Sequence, residues 1–144
     1  MEKAALHAES DPVLRAQLLN KMMPSGLDTR MEIEYLSIAG EFCSGKMPVA
    51  GNNQPFGILH GGANAVLAES LASIASLMLV APDQISVGLQ VQMTHHAAAK
   101  QGFVHGEARL IHAGRSIATY QIEIKDESGK LTSSGQVVCF LKRN

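Results

Sequence analysis

Between His60 and Val80 the chain has a single Asp, Glu, Lys or Arg, and it is Glu69. A carboxylate set alone in an apolar run can take a proton from water or attack a carbonyl carbon itself. Just upstream stands His60-Gly61-Gly62. Glycines at a helix start leave backbone N–H groups unpaired at the positive end of the helix dipole. Such an end can hold an anion or polarise a carbonyl oxygen, although the same tripeptide also suits a plain loop-to-helix junction.

Both groups need a helix to position them. The spacing predicts one over roughly Gly61 to Val80, closed by Ala81-Pro82-Asp83. At about 100° per residue, Leu67, Leu71, Ile74 and Met78 fall in one stripe that should press on a sheet. Glu69 lies nearly opposite, among Gly62, Ala65, Ala72, Ser73 and Ser76. A solvated helix face normally carries several charges. This small-residue face is expected to meet a partner chain or a crevice, with Glu69 in the contact. Gly61 and Glu69 are eight residues apart, roughly 12 Å along a helix. One small reacting centre cannot touch both. If both act on one carbonyl, they must come from two copies of the helix, antiparallel across a two-fold axis.

Around this helix the order of elements reads as α+β. Asp11 to Met22 has helical apolar spacing at Val13, Leu14, Leu18 and Leu19, with Asp11 as cap and Pro12 in the first turn. Pro24-Ser25-Gly26 ends it, so residues 1–28 form an N-terminal helical segment. Thr29 to Ile38 and Glu41 to Val49 read as a hairpin joined at Ala39-Gly40. A loop rich in glycine and amides, Gly51 to Gly57, leads into the long helix. After Pro82 come strands alone: Ile85 to His96, Gly102 to His112, Arg115 to Asp126 and Leu131 to Lys142. An antiparallel sheet packed on one principal helix fits this order, in a single domain spanning 1–144.

Composition narrows the function. Of 144 residues, 46% are hydrophobic and 17% charged, with a net charge of −1. That is globular, and it lacks the basic stripe of a nucleic-acid binder. Lys142 and Arg143 are too few for a basic tail. Cys43 and Cys139 form no CxxC pair and read as buried thiols in a reducing compartment. The start MEKAALHAESD has charges where a signal peptide needs an apolar core. The run Ile74 to Pro82 is too short to span a membrane. A cytoplasmic protein that binds neither membrane nor nucleic acid is expected. The six histidines show no HxxxH or CxxC spacing. Adjacent His95 and His96 point to opposite faces of a strand, so no metal site is expected. His105 and His112 read as structural or surface residues. GxSxG, GxGxxG and GxxxxGK[ST] are missing.

The stretch GILHGGANAVLAES, Gly57 to Ser70, resembles the signature of hotdog-fold thioesterases of the phenylacetate-pathway (PaaI-like) type. It is most similar to the aromatic acyl-CoA branch, which includes 4-hydroxybenzoyl-CoA and 1,4-dihydroxy-2-naphthoyl-CoA thioesterases. VGLQVQMTHHAAAKQG, ARLIHAGR and YQIEIKDESGKL extend the likeness from about Gln54 to the end. The resemblance implies a curved antiparallel sheet around the long helix, a homodimer with one continuous sheet, and commonly a tetramer of two dimers. It implies hydrolysis of an acyl thioester to acid and thiol, on CoA or a carrier protein, with no metal or organic cofactor. Glu69 would be the catalytic carboxylate. The Gly61 N–H would polarise the carbonyl, with Gln54 and His60 flanking it and Ser73 positioning the carboxylate or water. His95 and Gly62 would lie near the acyl group, with Phe56 and Met93 as further pocket candidates. Gly114, Arg115 and Ser116 would contact CoA. A non-hydrolytic acyl-CoA binder and a dehydratase are the other uses of such a fold.

Overall fold

The computed structural model describes residues 2–142, so Met1, Arg143 and Asn144 lie outside the described residues. Three short helices come first: α1 (Lys3–Ala8), α2 (Pro12–Met22) and α3 (Leu27–Arg30). The hairpin β1 (Glu34–Ile38) and β2 (Phe42–Pro48) follows, then the long helix α4 (Gly61–Leu77). Four strands complete the chain: β3 (Ile85–His95), β4 (Phe103–Ala113), β5 (Ile117–Asp126) and β6 (Leu131–Lys142). They form one sheet in the order β1-β2-β4-β5-β6-β3, and every neighbouring pair is antiparallel. The sheet curves around α4, which touches all six strands. This is the α+β hotdog arrangement that the sequence predicts.

Alternation places the core between sheet and helix. Tyr120, Ile122 and Ile124 of β5 are fully buried, as are Leu67 and Leu71 of α4. Ile74 and Met78 pack against this cluster from a partly buried position. The opposite, small-residue face of α4 departs from expectation. Ala72 and Ser76 are buried, and the Ser76 hydroxyl meets the Ser86 hydroxyl of β3 in the same chain. The sheet wraps far enough that β3 covers much of this face, and small side chains let it come close.

Two N-terminal features differ from what the sequence pattern alone conveys. Helix α2 is capped by Asp11, whose Oδ1 accepts from the N–H groups of Val13 and Leu14 at 2.8 and 2.9 Å. A cap of this kind is worth about 1 kcal/mol. Its buried residues, however, are Ala16 and Leu19, while Val13 and Leu14 are half exposed. Polar anchors set that rotation. Arg15 donates to the carbonyls of Leu6 and Ile38 at 2.9 and 2.6 Å. Asn20 donates to the Tyr35 carbonyl and accepts from the Tyr35 N–H, at 2.7 and 3.0 Å. It thus pairs like one residue of a neighbouring strand and covers the β1 edge. Second, Thr29 and Arg30 belong to α3, and the first strand starts only at Glu34. The helical turn closes when Ile33 N–H bonds to the Asp28 carbonyl, with Glu32 in the left-handed region at φ 56°.

Candidate active site

The helix start is built by its own cap. His60 Nδ1 accepts the Gly62 N–H at 2.8 Å, which puts the proton of a neutral ring on Nε2. The Gly62 donor is therefore engaged. Among the described residues the Gly61 N–H has no hydrogen-bond partner, so it is the donor left open at the positive end of α4. The loop before it is held at several points. Gln54 N–H bonds to the Ile58 carbonyl at 2.8 Å, His60 N–H to the Asn52 carbonyl at 3.0 Å, and Leu59 N–H to the Ala99 carbonyl at 2.8 Å. Gly57 closes the intervening turn with φ 75°.

His95, at the end of β3, lies over Gly61. A Cβ on Gly61 would stand 2.6 Å from His95 Nε2 and 2.9 Å from Cδ2, so only glycine lets the ring come this close. The ring is fixed from behind: its Nδ1 pairs with Ser133 Oγ at 2.9 Å, and Ser133 Oγ also receives Asn64 Nδ2 at 2.9 Å. Asn64 is buried, and its Oδ1 has no partner among the described residues. Gln54, Gly61, Asn64 and His95 line one cavity of about 420 Å³. His96 turns to another serine, Ser134, at 2.8 Å.

Glu69 is in a different place. It projects from α4 as an exposed side chain and helps line a separate cavity of about 310 Å³, with Asp28, Tyr35, Ser70, Ser73 and Ile74. The sequence pattern gave no sign of Asp28, Tyr35 or Ser70. Asp28 accepts from the Tyr35 hydroxyl at 2.8 Å and from the Ser70 hydroxyl at 2.7 Å. Burial, then the Asp28 charge, push the Tyr35 phenol above its ordinary range, so it stays a donor. Asp28 is thereby committed to two hydrogen bonds. Glu69 makes none among the described residues, which leaves it the uncommitted carboxylate of this cavity. Behind it lies Cys139, with its thiol pushed up by burial, drawn down by hydrogen bonds with Ser76 and Ser73, and raised further by the Glu69 charge. Both cysteines are free and buried.

Other anticipated residues stand apart from these cavities. Phe56 sits at the loop tip with 86% of its surface exposed and lines neither. Met93 packs against the core, and a Cβ on Gly135 would meet its Sδ at 2.7 Å. Gly114 closes the β4–β5 turn through its N–H to the Ile117 carbonyl at 2.7 Å. Arg115 and Ser116 line another cavity, of about 280 Å³, with Phe140, Leu141 and Lys142. His105 and His112 are exposed. No helix among the described residues is long and apolar enough to cross a membrane.

One chain therefore carries two separate cavities: one with an open N–H beside Gln54 and His95, the other with a free carboxylate beside Ser73. Residues 56–133 match the model of the family described as "Thioesterase superfamily". The chain belongs to the thioesterase superfamily. This hotdog thioesterase is 36% identical over 122 residues to the 1,4-dihydroxy-2-naphthoyl-CoA hydrolase of Escherichia coli, covering 84% of this chain and 90% of that protein. It is 37% identical over 113 residues to proofreading thioesterase EntH of Klebsiella pneumoniae, covering 78% and 82%. Among solved structures, a mutant of thioesterase PA1618 from Pseudomonas aeruginosa superposes with a TM-score of 0.85 at 31% identity, over 94% of this chain and 96% of that one. The thioesterase is thus a thioester hydrolase by family, and the matched segment contains Gly61, Glu69, His95 and Ser133 but not Gln54.

Proposed function

We propose that this thioesterase hydrolyses aromatic acyl-CoA thioesters to free acid and CoA, at sites shared between two protomers. The observation that carries the proposal is the division just described: Gly61 and Glu69 line different cavities of one chain. A second, antiparallel α4 would bring the Gly61 end of one protomer to the Glu69 of the other. The sheet offers the seam for it. Strand β3 is 11 residues long, pairs among the described residues only with β6, and exposes Ile85, Val87 and Leu89. A long apolar edge strand of this kind invites pairing with another chain. Two β3 edges joined antiparallel would make one continuous sheet, and two such dimers a tetramer.

In the shared site the Gly61 N–H polarises the thioester carbonyl, with Gln54 and His60 flanking it and His95 near the acyl group. Glu69 takes a proton from water while the water oxygen bonds to the carbonyl carbon. The oxyanion then reforms the carbonyl and the C–S bond breaks, releasing CoA thiolate. Direct attack by Glu69, giving an anhydride that water then opens, uses the same groups. A thioester is reactive enough that one carboxylate and one polarising donor suffice. Ser73 steadies the carboxylate or the water, and Arg115 and Ser116 meet the CoA moiety. The aromatic preference rests on the likeness to the naphthoyl-CoA hydrolase. Two buried free thiols suit a reducing cytoplasm.

The test is thiol release from a panel of aryl-CoA, medium-chain acyl-CoA and acyl-carrier-protein thioesters. Hydroxyaryl-CoA is expected to give a kcat/KM at least about tenfold above the others, which needs only about 1.4 kcal/mol of differential transition-state binding. Preference for an alkyl or carrier-protein thioester would overturn the substrate reading and leave the hydrolase. Binding without release would favour a sensor.

A further inference from the structure

Gly88 lies in β3 opposite Cys139 of β6, and the pairing slips one residue between Gly88 and Gln90. Leu89 is the extra residue of a bulge. Glycine inside a strand weakens it and marks a bulge or a close approach. Here the approach is specific. An ideal Cβ on Gly88 would stand 2.4 Å from Glu69 Oε1 and 3.2 Å from its Cδ and Cγ. The carboxylate rests on the bare Cα of the strand. The backbone itself does not require glycine, because φ at Gly88 is outside the left-handed region that Gly51, Gly57, Gly102 and Gly129 occupy. What this position supplies is the missing side chain.

The surrounding frame has little freedom to yield. Leu67, Leu71 and Ala72 lock α4 into the core, and the Ser76–Ser86 hydroxyl contact ties it to β3. Cys139, behind Gly88, is fully buried. The movable part is the end of the Glu69 side chain. A methyl group at position 88 would therefore turn the carboxylate away and leave the fold in place. We infer that Gly88 is a positioning residue, whose lack of a side chain holds the Glu69 carboxylate in its working orientation beside Ser73. The inference rests on the reading of Glu69 as the catalytic carboxylate.

The test compares wild type, Gly88→Ala, Glu69→Ala and the double variant, by hydroxybenzoyl-CoA hydrolysis and thermal unfolding. Gly88→Ala is expected to lower kcat by about ten- to a hundredfold, as displacement of a reacting group by about 1 Å does. KM should change less than about threefold, since ground-state binding is untouched. In the Glu69→Ala background the same substitution should change the residual rate by less than about twofold, because its target is gone. A wild-type kcat in Gly88→Ala, with Glu69→Ala inactive, would overturn the inference and spare the reading of Glu69. An equal loss with and without Glu69 would make Gly88 merely structural and also overturn it. Full activity of Glu69→Ala would remove the parent reading instead. If Gly88→Ala fails to fold, the double variant decides. Recovery of folding on trimming Glu69 supports the contact, and continued failure refutes it.

Discussion

Glu69→Ala is expected to lower thioester turnover by about a thousandfold, the scale for losing a positioned general base or nucleophile. The structure allows this loss to be read cleanly. Glu69 is exposed and has no hydrogen bond or ion pair among the described residues, so its removal leaves no buried partner unsatisfied. Stability should change by no more than about 0.5 kcal/mol, as for surface substitutions generally. The oligomer should survive as well. Glu69→Gln is the sharper companion, because it keeps the shape over Gly88 and removes the basicity. Both variants should show the loss in kcat. Near-normal turnover in either would sink the assignment of the carboxylate, since Asp28, the other acid of that cavity, is held by Tyr35 and Ser70.

The second large effect is expected at Gly61. Alanine there would place a methyl group 2.6 Å from His95 Nε2. The ring has little room to retreat, because Nδ1 is held by Ser133 and Ser133 by Asn64. Either His95 swings out or the helix start shifts, and both disturb the open N–H and its neighbours. Loss of one donor to a developing oxyanion costs about 10²- to 10³-fold in kcat, and Gly61→Ala is expected at the lower end. Gly61 is the first residue of α4, outside the helix interior where alanine is favoured over glycine, so the unfolding curve reports the His95 clash itself. Steady-state kinetics with an unfolding curve separate these contributions. A kcat within about twofold of wild type, far from the loss that donor removal brings, would mean that the Gly61 end does not touch the reacting carbonyl.

Much of this is legible in the chain without coordinates. The apolar period around Leu67 and Leu71, with Glu69 opposite, specifies the long helix. The alternation in the last four strands specifies an antiparallel sheet, because a period of two buries one face of each strand. What escapes is set by contacts distant in sequence. The face α2 buries follows Arg15 and Asn20 reaching backbone groups of other elements, and no periodicity records that. The turn α3 is too short to have a pattern, so Thr29 and Arg30 read as the start of a strand and nothing marks Asp28 before them. Asn64 and Ser133 are ordinary polar residues until the fold sets them behind His95. The strand pattern runs through Gly88 without marking it, and only the packing of α4 on β3 reveals what meets its bare Cα. The covering of Ala72 and Ser76 by the chain's own β3 is missed because a small-residue face says that something comes close, not which element.

In the proposed reaction Glu69 of one protomer works against the Gly61 end of its partner, and subunit mixing is the decisive experiment. Glu69→Ala and Gly61→Ala are purified separately, shown to be impaired, then unfolded and refolded together in equal amounts. In a shared-site dimer, each mixed pair has one site with both lesions and one with neither. Random reassociation should then restore about a quarter of wild-type turnover, because half of the dimers are mixed and each has one sound site. Activity that stays at the average of the two impaired proteins would contradict the account and place both groups of each working site within a single chain.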